Sequence, residues 1–197
     1  MIELKSEKTI IVGVVADTHV PDRVSTLHLG LLPGLREREV DYIFHAGDIS
    51  APRVLKELAL VAPVYAVAGN RDWFQRSTPR HRLFTINGVK TLLTHGHINL
   101  HHYWVDKAKN LLHGYRFNRY ARRLQVLAPD AMIYIYGHSH HAENHWLDGK
   151  LFFNPGSSSV AEKPDFRLSF GIIQFHPDGN FSGEIIALNG AVVRFNK

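Results

Sequence analysis

The sequence predicts an α/β fold in which two packed β-sheets are flanked by outer helices. Near-continuous apolar runs, typical of strands covered on both faces, alternate with helix-compatible segments in the first half of the chain. Short strands separated by turn-rich segments fill the second half. Because the 197 residues contain no internal repeat and no evident linker, we expect one domain spanning residues 1–197.

The first half has the order β-α-β-α-β. Apolar runs predict strands over residues 9–17, 41–48 and 64–70. Helices are predicted over about residues 25–39 and over residues 51–61, where Pro52 falls in the first turn. This order indicates helices packed on a largely parallel sheet.

Five further strands are predicted in the second half, over residues 90–94, 132–136, 151–154, 170–175 and 182–188. The last three are separated by short segments such as PDGN at 177–180, which favour turns. These three strands are therefore expected to pair in an antiparallel manner.

A basic, aromatic and histidine-rich segment at residues 98–125 interrupts this pattern. Between Leu100 and Leu127 there are six basic residues and one acidic residue, Asp106. This stretch therefore accounts for the whole formal net charge of +5. Apolar residues at helical spacing predict one long or two short helices that end before Pro129. The segment is either a helix with a solvated basic face or a cap whose arginines meet phosphates.

Composition excludes several classes of protein. The chain has no cysteine, which excludes disulfides, thiolate zinc sites and cysteine nucleophiles. The N-terminus has no apolar signal region, and no apolar run approaches the roughly 18–20 residues of a membrane span. We therefore expect a cytoplasmic protein that does not interact with a membrane.

Polar motifs follow five of the predicted strands: DTH at 17–19, GD at 47–48, GN at 69–70, THGH at 94–97 and GHSHH at 137–141. Ligands bind at the carboxyl ends of strands in open α/β sheets. Carboxylate, amide and imidazole donors suit Mn²⁺, Fe²⁺, Ni²⁺ or Zn²⁺. Each motif alone is more typical of a turn, a cap or a hydrogen-bonded core histidine, but the five together indicate a metal site.

The ordered set DTH, GD, GNRD, THGH and GHSH resembles the calcineurin-like metallophosphoesterase superfamily, and NPGS at 154–157 resembles its small phosphodiesterase branch. This resemblance implies a four-layer α-β-β-α sandwich with two mixed central sheets. It also implies a site for two divalent cations, with Mn²⁺ favoured and Ni²⁺, Fe²⁺ and Zn²⁺ as alternatives. One ion would be held by Asp17, His19, Asp48 and His140, and the other by Asp48, Asn70, His95 and His138, so that Asp48 bridges them.

The same resemblance implies a phosphohydrolase, with a phosphodiester as the expected substrate. A hydroxide between the two cations would attack phosphorus, with Asp48, Asn70, Arg71 and His97 as catalytic residues and with Arg71 and His97 near the substrate. Many members of the superfamily have a histidine at the position of Arg71, where it helps to protonate the leaving group. An arginine, with a pKa above about 12, cannot do this, although it can bind a phosphate through parallel hydrogen bonds. Alternatively, Arg71 forms an ion pair with Asp72 or with another acid outside the site.

The expected partner is a small phosphodiester or a nucleotide, with nucleic acid as a further candidate through the basic segment at 100–127. Relatives often form oligomers, so the resemblance also implies self-association. The alternative function is a non-catalytic, metal-binding scaffold or interaction module, since the retromer scaffold subunit has the same fold.

Overall fold

The computed structural model describes residues 1–72, 77–96, 117–161, 167–189 and 193. Within these residues the chain forms eleven strands and three helices. The strands are β1 (Ile2–Leu4), β2 (Ile10–Val15), β3 (Tyr42–His45), β4 (Val64–Ala66), β5 (His81–Ile86), β6 (Val89–Thr94), β7 (Ile133–Ile135), β8 (Glu143–Leu147), β9 (Lys150–Asn154), β10 (Ser169–Phe175) and β11 (Phe181–Ala187). The helices are α1 (Leu31–Glu37), α2 (Pro52–Leu58) and α3 (Phe117–Leu127).

The strands form two mixed sheets. The first sheet has the order β1-β5-β6-β7-β9-β8, in which β6, β7 and β9 are parallel while β5 and β8 are antiparallel to their neighbours β6 and β9. The second has the order β11-β10-β2-β3-β4, in which β2, β3 and β4 are parallel and β10 is antiparallel to both of its neighbours. The predicted parallel sheet is therefore confirmed for β2, β3 and β4.

Three apolar cores separate four layers. Between the sheets, the ring of Phe44 on β3 stacks on Phe84 of β5, with the ring centroids 4.4 Å apart. Leucines and valines of α1 and α2 pack on the outer face of the second sheet. Ala121 and Leu124 of α3 pack with Tyr134 on the outer face of the first sheet. The predicted α-β-β-α sandwich is confirmed.

The predicted cap at 98–125 is described only from residue 117 onward. Here α3 ends at Leu127, before Pro129 as predicted. Its apolar side is buried against the first sheet, whereas Arg122 is exposed on the other side. Residues 98–116 lie outside the described residues.

Two of the sequence predictions were wrong. The helix predicted from residue 25 begins at Leu31, because Pro33 lacks an N–H donor and is tolerated only in the first turn of a helix. Strand β9 does not pair with β10; it lies in the first sheet between β7 and β8, and the chain after Asn154 crosses to the second sheet. Strands β1, β5 and β8 were not predicted, since β1 has three residues and β8 (ENHWL) carries polar side chains on an edge.

Among the described residues, none of the helices has the length and apolar composition required to cross a bilayer.

Candidate metal centre

Strands of both sheets deliver polar side chains to one end of the sandwich. In the second sheet, β2 precedes Asp17 and His19, β3 precedes Asp48, and β4 precedes Asn70. Strands β6 and β7 of the first sheet precede His95 and the two histidines of GHSHH. The carboxyl ends of five strands therefore meet where the two sheets face each other. We call Asp17, His19, Asp48, Asn70, His95, His138 and His140 the seven predicted ligands.

The first cluster contains Asp17, His19 and His140, whose donor atoms all lie within 4.8 Å of one another. His19 Nε2 lies 3.1 Å from His140 Nε2, and His140 Nε2 lies 3.5 Å from Asp17 Oδ1. All three residues are buried. Two imidazole nitrogens and one carboxylate oxygen that converge in this way could hold a divalent cation.

The second cluster is centred on the side-chain oxygen of Asn70. Asn70 Oδ1 lies 3.1 Å from His95 Nε2 and 3.0 Å from His138 Nδ1. The rings of His95 and His138 meet edge to face, with their centroids 5.1 Å apart. One amide oxygen and two imidazole nitrogens form a second donor group beside the first.

Asp48 lies between the two clusters. Its Oδ2 atom is 3.7 Å from His19 Nε2 in the first cluster, and its Oδ1 atom is 3.4 Å from His95 Nε2 in the second. Asp17, Asp48 and His95 also form a group with donor atoms within 4.8 Å of one another. The sequence-predicted set thus comes together, with one carboxylate oxygen of Asp48 directed at each cluster.

The backbone of the site is unusual. Five of the seven predicted ligands have positive φ: Asp17 (52°), His19 (48°), Asp48 (55°), His138 (72°) and His140 (54°). Such conformations are rare for residues other than glycine and cost on the order of 1–3 kcal/mol each. They are concentrated here because the turns after the strands must direct these side chains inward. Strain of this kind is typical of functional sites.

Burial keeps the donor nitrogens of His19 neutral. The pKa of His19 falls to about 2; burial is the largest cause, and proximity to His140, Arg23, His95 and Arg71 contributes to the same fall. A neutral imidazole retains the lone pair that a metal ligand needs. The electrostatics of the site therefore favour coordination over protonation at His19.

His45 supports the site without belonging to it. Its Nδ1 accepts a hydrogen bond from the Gly47 N–H at 3.2 Å, so in the neutral ring Nε2 carries the proton and faces the Thr18 hydroxyl at 3.1 Å. Burial lowers the pKa of His45 to about 3. The ring thus links the DTH turn to the GD turn through Thr18, and it supports Asp48 indirectly, as a packed strand histidine would.

Asp72 is a supporting residue that was not included among the predicted site residues. Its buried carboxylate accepts hydrogen bonds from the backbone N–H groups of Ile49 (2.8 Å), Ser50 (2.7 Å) and Gly69 (2.7 Å). Burial raises the pKa of Asp72, and these three donors oppose that rise. Asp72 therefore joins the turn that carries Asp48 to the turn that carries Asn70.

Arg71 does not form an ion pair with Asp72. Its backbone N–H donates to Asp48 Oδ1 at 2.9 Å, while its side-chain Nη1 lies 3.1 Å from Asp22 Oδ2. The sequence left open an ion pair with Asp72 or with another acid; the partner is not Asp72, because that carboxylate is buried and engaged by backbone donors. Instead the pairing is with an acid three residues after His19. The predicted substrate residue His97 lies outside the described residues.

A serine-rich loop, residues 154–159, braces two of the ligand turns. The hydroxyls of Ser157 and Ser159 both donate to the carbonyl oxygen of Asp17, at 2.9 and 3.0 Å. The Asn154 side chain donates to the carbonyl oxygen of Gly137 at 3.0 Å. In the sequence, the NPGS motif contributed only to the family resemblance. In the structure it holds the DTH and GHSHH turns in place.

Fold and site define a four-layer α/β protein with candidate metal-binding groups at one end of two facing sheets. Residues 10–177 match the calcineurin-like phosphoesterase superfamily domain. A "Probable metallophosphoesterase" of Methanothermobacter thermautotrophicus is 34% identical over 157 residues, which cover 79% of this chain and 81% of that protein. The chain belongs to the calcineurin-like phosphoesterase superfamily, and this membership supports a metal-dependent phosphoesterase.

Solved structures share the fold at lower identity. Vacuolar protein sorting 29 (Vps29) from Cryptosporidium parvum superimposes with a TM-score of 0.74 at 22% identity, covering 96% of this chain and 100% of that one. A structure described as a novel archaeal phosphodiesterase superimposes with a TM-score of 0.59 at 20% identity, covering 90% of this chain and 100% of that one. At these identities the similarity concerns the fold alone.

Proposed function

We propose that the chain is a cytoplasmic phosphohydrolase acting on phosphodiesters, with the seven predicted ligands holding two divalent cations. The observation that carries this proposal is the position of Asp48, which directs one carboxylate oxygen at His19 and the other at His95. A shared carboxylate lowers the repulsion between two adjacent cations. Asp48 is buried, and a buried charge is costly unless it is paired or binds a metal, which supports a role for this carboxylate in holding cations.

The donor set fits such ions. Oxygen and imidazole donors without a thiolate suit Mn²⁺, Fe²⁺, Ni²⁺ or Zn²⁺, and Mn²⁺ is our first choice. Asp17, His19 and His140 would hold one ion with Asp48, and Asn70, His95 and His138 would hold the other. The bound ions would lower the pKa of a water to near neutrality and stabilise negative charge on the phosphoryl oxygens.

Arg71 is proposed to bind the phosphate. Its guanidinium remains charged near neutral pH and can donate two parallel hydrogen bonds to phosphoryl oxygens. It cannot protonate a leaving group, so esters with acidic leaving groups are the expected substrates. His97, the next candidate for contact with the substrate, stays a prediction.

The alternative is a metal-binding scaffold. The fold is shared both with a phosphodiesterase and with Vps29, so the fold alone does not separate the two functions. The two donor groups that share Asp48 support hydrolysis, because a metal-binding scaffold needs no second, adjacent cation to activate a water. Nucleic acid binding and self-association stay predictions; binding of nucleic acid to the basic segment at 100–127 would weaken steeply with salt.

The test is hydrolysis of bis(p-nitrophenyl) phosphate and p-nitrophenyl phosphate with Mn²⁺, Ni²⁺, Zn²⁺ or Mg²⁺. We expect turnover of the diester, and its loss in Asp48→Asn. Asp130→Asn is the matched control, because it removes an exposed carboxylate far from the predicted ligands. Asp130 lies 3.5 Å from Lys90 at the start of β6, whereas His95 follows the end of that strand. Bound metal without turnover of any phosphoester would favour the scaffold, and an active Asp48→Asn variant would contradict the two-metal site.

A further inference from the structure

A single carboxylate, that of Asp22, contacts both a predicted metal ligand and the predicted phosphate-binding residue. Asp22 Oδ2 lies 3.6 Å from His19 Nδ1 and 3.1 Å from Arg71 Nη1. We propose that Asp22 is a positioning residue that orients the His19 ring for metal binding and the Arg71 guanidinium for phosphate binding. This inference rests on the function proposed above.

The contact with His19 is on the side of the ring that faces away from the predicted metal. Nε2 of His19 faces His140 and Asp48, so Nδ1 is the outer nitrogen. Among the described residues no group accepts a hydrogen bond from this nitrogen, although Asp22 Oδ2 lies just beyond hydrogen-bonding distance. A carboxylate beside the outer nitrogen of a ligating histidine fixes its tautomer and strengthens its donor nitrogen.

The contact with Arg71 uses one end of the guanidinium. Nη1 approaches both oxygens of Asp22, at 3.1 and 3.4 Å, and no other acceptor of the described residues binds this guanidinium. A guanidinium has five N–H donors in one plane, so the opposite edge remains available to two phosphoryl oxygens. Asp22 thus restricts the orientation of that edge.

Stability does not account for this arrangement. The side chains of Arg71 and Asp22 are 40% and 33% exposed, and ion pairs at such positions contribute little to the free energy of unfolding. The Arg38–Glu184 pair has nearly the same geometry and exposure, at 3.0 Å with 35% and 40%. None of its hydrogen bonds among the described residues involves a predicted ligand, so it serves as the control pair.

The first measurement is calorimetric titration of the metal-free protein with Mn²⁺. Asp22→Asn preserves the shape of the side chain and removes its charge, and we expect Kd for Mn²⁺ to rise by about 10-fold, as for the loss of an outer-sphere partner. Asp22→Glu, which keeps a carboxylate, should recover part of the affinity. Glu184→Gln should leave Kd and the melting temperature unchanged.

The second measurement is a double-mutant cycle read by the binding of inorganic phosphate to the Mn²⁺-loaded protein. We expect Arg71→Ala to weaken phosphate binding by about 10-fold in the wild-type background, the size of a charge-assisted hydrogen bond. In the Asp22→Asn background the same substitution should change binding by less than about 3-fold, because the guanidinium is no longer oriented.

The outcomes separate the inference from the proposed function. A wild-type protein that binds no Mn²⁺ would overturn both. A wild-type protein that binds Mn²⁺ and hydrolyses diesters, while Asp22→Asn has unchanged Mn²⁺ affinity and additive effects with Arg71→Ala, would overturn the inference alone.

Discussion

The backbone N–H of Arg71 donates a hydrogen bond to Asp48 Oδ1 over 2.9 Å, while the Arg71 side chain extends to Asp22. One residue thus contributes to the candidate site twice, through its backbone to the Asp48 carboxylate and through its side chain to Asp22. A substitution at position 71 removes only the second contribution. This separation makes Arg71 suitable for distinguishing metal binding from substrate binding.

We expect Arg71→Ala to keep its affinity for Mn²⁺ and to raise KM for a phosphodiester by about 10–100-fold, the worth of a charge-assisted hydrogen bond. Arg71→His should recover more activity with poor leaving groups than with p-nitrophenol, because a histidine can donate a proton. Steady-state kinetics over leaving groups of different pKa measures both effects. Equal rates for all three proteins would make Arg71 a structural residue.

Asp72→Ala is expected to lower the free energy of unfolding by at least about 2 kcal/mol, because three backbone N–H groups lose their acceptor. Urea unfolding measures this loss. Asp41→Ala provides the comparison, since Asp41 accepts one backbone N–H, that of Ile11, at an exposed position. A loss no greater than that of Asp41→Ala would show that Asp72 does not hold the two turns together.

Gly69→Ala should weaken Mn²⁺ binding by about 10-fold or more, because the added Cβ atom would overlap the carboxylate and backbone nitrogen of Asp48. Gly149→Ala is a suitable control, since nothing lies within 4 Å of its added Cβ atom. The φ of Gly149 is +73°, so this control costs about 1 kcal/mol of stability without a change in metal affinity. Calorimetric titration with Mn²⁺ distinguishes the two, and equal affinities would contradict the close approach at Gly69.

Acidification should destabilise the metal-free protein through His45. Its pKa is about 3 in the folded protein and about 6.5 in the unfolded chain, so between these values the unfolded chain binds a proton that the folded protein excludes. Its contribution to stability is complete above about pH 6.5 and is lost as the pH falls toward 3. His45→Gln should reduce the dependence of the unfolding free energy on pH by up to about 1.4 kcal/mol per pH unit in this window. Urea unfolding of both proteins at pH 7 and pH 5, with a chelator present, measures this difference. The same change in unfolding free energy between the two pH values in wild type and His45→Gln would contradict the prediction.

Removal of metal with a chelator should lower the melting temperature. At 100 times Kd, Mn²⁺ adds about 2.7 kcal/mol to the folded state, equivalent to about 5–10 °C for a chain of this length. Asp48→Asn should abolish most of this difference, whereas Asp130→Asn should retain it. A melting temperature independent of Mn²⁺ in the wild-type protein would contradict metal binding at this site.

Strand positions and predicted ligands could be read from the sequence because both are local signals. An apolar run followed by Asp48 or by Asn70 marks the end of a buried strand, wherever the strand lies in the sheet. The placement of β9 could not be read in this way, because strand pairing depends on contacts between distant segments. The length of α1 was misjudged, although Pro33 was itself a local signal for its start.

The contacts that support the predicted ligands could not be predicted from the sequence, because they also join distant segments of the chain. Asp72 follows Arg71 directly, which suggested an ion pair between them, but its carboxylate turns inward to backbone donors of another turn. Asp22 lies 49 positions from Arg71 and carries no motif. Ser157 and Ser159 reach Asp17 across the fold. Such contacts require the three-dimensional arrangement.

The seven predicted ligands come from two separate sheets, and this division has a consequence for distant substitutions. Backbone hydrogen bonds fix the spacing of strands within each sheet, but the spacing between the sheets depends on packed side chains such as Phe44 and Phe84. A smaller side chain at either position would let one sheet shift relative to the other. We therefore expect the separation of Asp48 from His95, and with it the ion size that this candidate site would accept, to depend on residues outside the seven predicted ligands.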